Sequence, residues 1–133
     1  MIGRFLRLAL LSMCIGGVST SAFATSAISC IGVDADVEVF ILFGAGPILT
    51  PISATVTIGD EEISTIAKAE PASIAQFKGD EKELHLDLVD AQAIDVLASV
   101  RILRFDDGAS EPVQIGYVSA PGEGAFAIRC DGP

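Results

Sequence analysis

The stretch AIRCDGP, Ala127–Pro133, places a cysteine three residues from the end of the sequence, and its match is AISC, Ala27–Cys30. The sequence has three cysteines, and loss of residues 1–24 with Cys14 as a signal peptide leaves two. In an oxidising compartment two cysteines allow a single pairing, so Cys30 and Cys130 are expected to form a structural disulfide. If eight strands run alternately up and down, the first and last are antiparallel. The start of the first then lies level with the end of the last. On this reading Cys30 precedes the first strand, Cys130 closes the final one, and only Asp131-Gly132-Pro133 frays beyond it.

The compartment is indicated by the other end of the sequence. Residues 1–24 carry Arg4 and Arg7, then an apolar run from Leu6 to Val18, then Ala22-Phe23-Ala24. That order is a bacterial Sec-type signal peptide with cleavage after Ala24 and export to the periplasm or the medium. The apolar run is shorter than the roughly 20 residues that span a bilayer. Cys14 raises the alternative of lipid attachment, but Met13 stands before it where a lipoprotein signal has a small residue. Residues 25–133 are then a single domain. The intact sequence has 8 basic and 18 acidic residues, a net charge of −10. Loss of Arg4 and Arg7 leaves six against eighteen, or −12. Such a charge repels nucleic acid and anionic membranes, favours solubility, and suits a basic exported protein as partner.

Period-two patterning dominates residues 25–133, which predicts an all-β domain. In Ile52 to Ile58, ISATVTI, the residues Ile52, Ala54, Val56 and Ile58 are expected to face the core and Ser53, Thr55 and Thr57 solvent. Glu83 to Asp90 puts Leu84, Leu86 and Leu88 inward, and His85 and Asp87 outward. Val33 to Phe43 alternates at first, with Asp34, Asp36 and Glu38 on one face, and ends in the run VFILF. Ile63 to Ala69 and Ser73 to Lys78, separated by Pro71, read as edge strands. Val113 to Ser119 and Ala125 to Cys130 flank Pro121-Gly122-Glu123-Gly124 as a hairpin. Val96 to Phe105 reads as a strand ending at the turn Asp106-Asp107-Gly108, and Asp90 to Ile94 as a helical turn before it. The sum is seven or eight short antiparallel strands in a small sandwich or barrel, its termini joined by one disulfide.

Little in this pattern carries chemistry. The single histidine, His85, sits on an outward strand face beside Asp87, with no serine or cysteine in a strained elbow to form a triad. Zinc needs further His or Cys ligands, the acidic clusters lack calcium-loop spacing, and Gly44-Ala45-Gly46-Pro47 is not a phosphate loop. Neither a metal nor a cofactor is expected. Asp34, Asp36 and Glu38, spaced about 7 Å apart along an extended strand, are the candidate partner-binding residues. The expected function is that of a small exported acidic β-domain, a non-enzymatic protein-binding or structural accessory protein. A sharper version is an inhibitor of a cationic hydrolase such as lysozyme, although the Ser-Gly-x-Gly-x-x-Tyr loop of c-type lysozyme inhibitors is missing. A hydrolase using His85 and Asp87 ranks third.

Mass spectrometry of the exported protein should show a chain beginning at Thr25 and two hydrogens lighter than its reduced form. A retained leader, or a mass gain from lipid on Cys14, contradicts the export reading.

Overall fold

The computed structural model describes residues 25–133. The expected signal peptide, residues 1–24, and the question of Cys14 lie outside the described residues. Among the described residues no helix is long and apolar enough to cross a membrane. Nine strands form one antiparallel sheet: β1 Ser26–Gly32, β2 Val37–Phe43, β3 Pro51–Ile58, β4 Glu61–Ser64, β5 Ser73–Gly79, β6 Glu83–Val89, β7 Val96–Phe105, β8 Val113–Ala120 and β9 Gly124–Asp131. Their spatial order is β4-β3-β2-β1-β9-β8-β7-β6-β5, curled into a nearly closed barrel.

Two meanders, β1 to β4 and β5 to β9, thus meet where the first strand pairs with the last. Cys30 does not precede the first strand; it lies within β1, directly opposite Cys130 of β9, and the two are bonded with Cα atoms 4.0 Å apart. The expectation misses β1 because SAISCIG carries no turn signal to set it apart from residues 33–43. Asp131 belongs to β9, and the buried Gln114 donates from Nε2 to the Gly132 carbonyl oxygen at 2.7 Å.

Parity explains why the barrel stops short of closure. With every neighbouring pair antiparallel, the outermost strands β4 and β5 point the same way, so an antiparallel ladder cannot join them. They are the two edges: Ser73 to Lys78 is an edge strand as expected, whereas the expected strand Ile63 to Ala69 is displaced, β4 running over Glu61–Ser64 and residues 65–70 forming the turn that follows it. Among the described residues a single backbone hydrogen bond, from Ala72 to Ser64, spans the seam instead. Thr65 extends the edge by accepting from the Ala54 amide at its hydroxyl and donating its own amide to the Ala54 carbonyl, while the Ala72 amide donates to the Ser64 carbonyl at 3.0 Å. Across the interior, Phe43 of β2 meets Phe77 of β5 at a ring separation of 5.9 Å.

The interior is filled by alternate residues of each strand, among them Val39, Ile41 and Phe43 of β2, Leu86 and Leu88 of β6, Val100 of β7, Val118 of β8 and Ile128 of β9. Gly116 occupies an inward position opposite Ile102, where a Cβ would stand 1.8 Å from the Arg101 carbonyl oxygen. Only glycine lets β8 press that closely on β7, which tightens the curl of the sheet. Bulges do the same elsewhere. At Leu42/Phe43 the pairing jumps from Ser53 to Pro51, so Ile52 is the extra residue. The inward set therefore holds from Ala54 to Ile58, while Ile52 is exposed and Ser53 is buried, the reverse of the expected phase.

Two further expectations change. Val33 to Phe43 is not one strand: residues 33–36 form a bend and β2 begins at Val37. The Asp90 to Ile94 segment is a turn, not a helix. Asp90 still acts as a cap, accepting the Ile94 and Asp95 amides at its carboxylate, but Ala93 adopts a left-handed φ of 56° that ends any helix.

Breaking the disulfide releases the ends of a loop with a sequence separation of 100. The double variant Cys30→Ala/Cys130→Ala should lose about 3–5 kcal/mol of unfolding free energy in urea titrations, near the roughly 4.7 kcal/mol of the chain-entropy account. A loss under about 1 kcal/mol would mean that the β1–β9 ladder holds the ends without the covalent link.

Candidate functional site

Alternation leaves half of each strand facing outward, and the outer wall is not uniform. On β6 it is polar, with Glu83, His85 and Asp87. On β7 and β8 it is apolar: Leu103 lies opposite Ile115, Phe105 opposite Val113, and Tyr117 opposite Arg101. These five apolar side chains are each 44–56 % exposed, so the cluster is open to solvent along its length. The band continues across β9 to β1, where Ile115 faces Arg129 and Arg129 faces Ile31, with the exposed Val33 just beyond. Phe40 and Glu38 come next on β2.

The end of this band nearest Phe105 opens into a depression of about 1200 Å³. Leu103, Phe105 and Val113 form its apolar floor, and Glu81, Asp106, Asp107 and Glu111 stand around it with Lys82 and Arg104. Four carboxylates against two cations leave the rim net negative. A second, smaller hollow of about 490 Å³ lies at the opposite end of β7, against Ile63, Leu97 and Pro121.

Local hydrogen bonding holds the two loops that make the rim. In the β5–β6 turn, Asp80 accepts the Lys82 and Glu83 amides at 2.8 and 2.9 Å, and these bonds hold its carboxyl below the ordinary value. The Lys82 carbonyl in turn accepts the Arg104 amide at 2.8 Å, which ties that turn to β7. In the β7–β8 connection Asp107 accepts the amides of Ala109 and Ser110 and the Ser110 hydroxyl. Those donors, the Ala109 amide first, lower the Asp107 carboxyl. Gly108, at φ 73°, permits the bend, and its amide donates to Asp106. Glu81 and Glu111 take no part in these bonds and remain available at the rim.

The residues singled out in the sequence are not brought together. Asp34 and Asp36 sit in the 33–36 bend and Glu38 on β2, so they form no strip along a strand. His85 and Asp87 share the β6 face but have different partners. Arg101 Nη1 donates to Asp87 Oδ1 at 2.8 Å, while His85 Nε2 lies 3.5 Å from Glu83 Oε2. Glu83 is also bound by Lys78, which lowers the Glu83 carboxyl and raises the Lys78 ammonium. Among the described residues no three His, Cys, Asp or Glu side chains converge as a metal site.

That Leu103, Phe105, Val113, Ile115 and Tyr117 share one exposed face is not among the expectations from sequence. The signal was there in part: ILRF and VQIGYV carry apolar residues on both faces, which a half-buried strand does not need. Comparison with protein-family models, curated proteins and solved structures gives no match.

Burial raises the Asp87 carboxyl, but hydrogen bonds from Arg101 and Ser99 and the guanidinium charge outweigh it, and the net direction is down. A carboxyl depressed in the folded state stabilises the fold above its unfolded pKa of about 3.9, and that stability is lost as pH falls through the lower folded value. Stability measured by urea should therefore fall below about pH 4, and Asp87→Asn should be less stable than the wild type at pH 7 with a shallower acid limb. Identical acid limbs for both would show that Asp87 does not contribute.

Proposed function

We propose that residues 25–133 form an exported domain without enzymatic activity that binds another protein, and that it does so through the outer face of β7, β8, β9 and β1. The carrying observation is the row Leu103, Phe105, Val113, Ile115 and Tyr117, five large apolar side chains in register on two neighbouring strands and half open to water. The interior does not require them, because Val100, Ile102 and Val118 of the same strands already fill it. Isolated exposed apolar residues are ordinary; a contiguous group with a polar border marks an interaction surface. A non-enzymatic role agrees with Asp87 being engaged by Arg101 instead of orienting His85. Inhibition of a cationic hydrolase such as lysozyme is the narrower version of this reading, favoured by the carboxylates that border the face at Glu81, Asp106, Asp107 and Glu111.

The test uses the exported protein, tagged at its C-terminal end, to capture partners from a periplasmic extract. The double variant Leu103→Thr/Ile115→Thr removes apolar area while placing β-branched residues suited to a strand. Wild type should retain a specific protein that the variant, folded by circular dichroism, retains at least about tenfold less, as expected where apolar anchors carry the affinity. Equal retention by both sinks the assignment of this face. Protection of bacterial cells in a lysozyme turbidity assay selects the inhibitor version.

A further inference from the structure

We infer that the partner is a cationic protein, and that it inserts an apolar side chain flanked by arginine or lysine into the depression at the β7–β8 end of this face. The inference rests on the protein-binding reading and names the chemistry of what binds.

Charge complementarity decides among the possible occupants. Residues 25–133 carry eighteen acidic and six basic side chains. Two of the six are engaged, Lys78 by Glu83 and Arg101 by Asp87. A second copy of the chain would bring an equally negative body against the face, and an anionic membrane would do the same; both are repelled at long range. A basic protein is drawn in, and its encounter is accelerated by the same field.

The depression determines what the partner presents. Its floor of Leu103, Phe105 and Val113 takes an apolar group, and Phe105 offers a ring to a guanidinium as well. Glu81 on the β5–β6 turn and Glu111 on the β7–β8 connection line the same depression, without structural hydrogen bonds that would have to break. An arginine with its apolar stem on the floor and its head at a rim carboxylate satisfies both surfaces at once. Lys82 and Arg104 oppose this locally, so the rim selects partners whose cations reach Glu81 and Glu111 rather than any positive surface.

The probe is a disulfide-closed hairpin peptide presenting leucine between two arginines on one face, compared with a counterpart in which both arginines are glutamate. Binding is read from the fluorescence anisotropy of dye-labelled peptide. The arginine peptide should bind, the glutamate peptide at least about tenfold more weakly, and Glu81→Lys/Glu111→Lys should cost the arginine peptide about tenfold. Raising salt from about 50 to about 300 mM should weaken the wild-type interaction and leave the charge-reversed variant nearly unaffected. Absence of binding by the arginine peptide, equal binding of the two peptides, or an undiminished affinity in the reversed variant overturns the inference. The two readings fail differently. If Leu103→Thr/Ile115→Thr abolishes capture from extract while reversal of the rim leaves it unchanged, the face stands and the cationic partner falls.

Discussion

Everything in this structure depends on one pairing, the antiparallel ladder between β1 and β9 that sets Cys30 opposite Cys130. It joins segments far apart in sequence, so its closure carries the largest conformational cost of any contact in the fold. Without it there are two separate meanders, each a curved sheet with an open edge on both sides. With it they become one wall around a common interior. The disulfide locks that joint covalently, and both sulfur-bearing residues are buried, 1 % and 4 % exposed.

The remaining edges are a matter of counting. An odd number of strands cannot close entirely by antiparallel neighbours, so a seam between β4 and β5 is the necessary counterpart of the β1–β9 joint. The chain blunts it with means that sheets use at edges: a four-residue β4, a bulge at Ala75 in β5, and the charged Lys78. Phe43 and Phe77 fill the space behind it. Curvature is supplied by three bulges and by Gly116, where any side chain would collide with the backbone of β7.

Much of this was legible in residues. Leu84, Leu86 and Leu88 alternate with polar neighbours and lie inside; Val96–Phe105 is β-branched and is β7 with those bounds; the two cysteines of residues 25–133 left one pairing. The errors share a cause. Periodicity gives the phase of a strand only while its register is unbroken, and the bulge at Ile52 inverts the phase of ISATVTI at its start. The alternation of Val33 to Val39 looks the same whether Asp34 and Asp36 lie in a strand or in a bend. The apolar outer face was hidden for a different reason: Leu103 and Ile115 become neighbours only through the register of β7 on β8, which no single stretch of sequence states. His85 and Asp87 were adjacent on one face, yet Arg101 from the next strand claimed the carboxylate.

Charge and apolarity on the outer wall belong to one design. An exposed row of Leu, Phe, Val, Ile and Tyr on adjacent strands would ordinarily invite self-association. Here residues 25–133 carry eighteen carboxylates against six cations, a balance that opposes the approach of a second copy. The Asp80 and Asp107 turns commit their carboxylates to backbone amides, which holds the loops. Glu81 and Glu111, next to them in sequence or space, are thereby set at the rim without being consumed by it. Neighbouring acids therefore fall into two kinds, those that hold the loops and those left without a structural hydrogen bond, and the proposed recognition rests on the second.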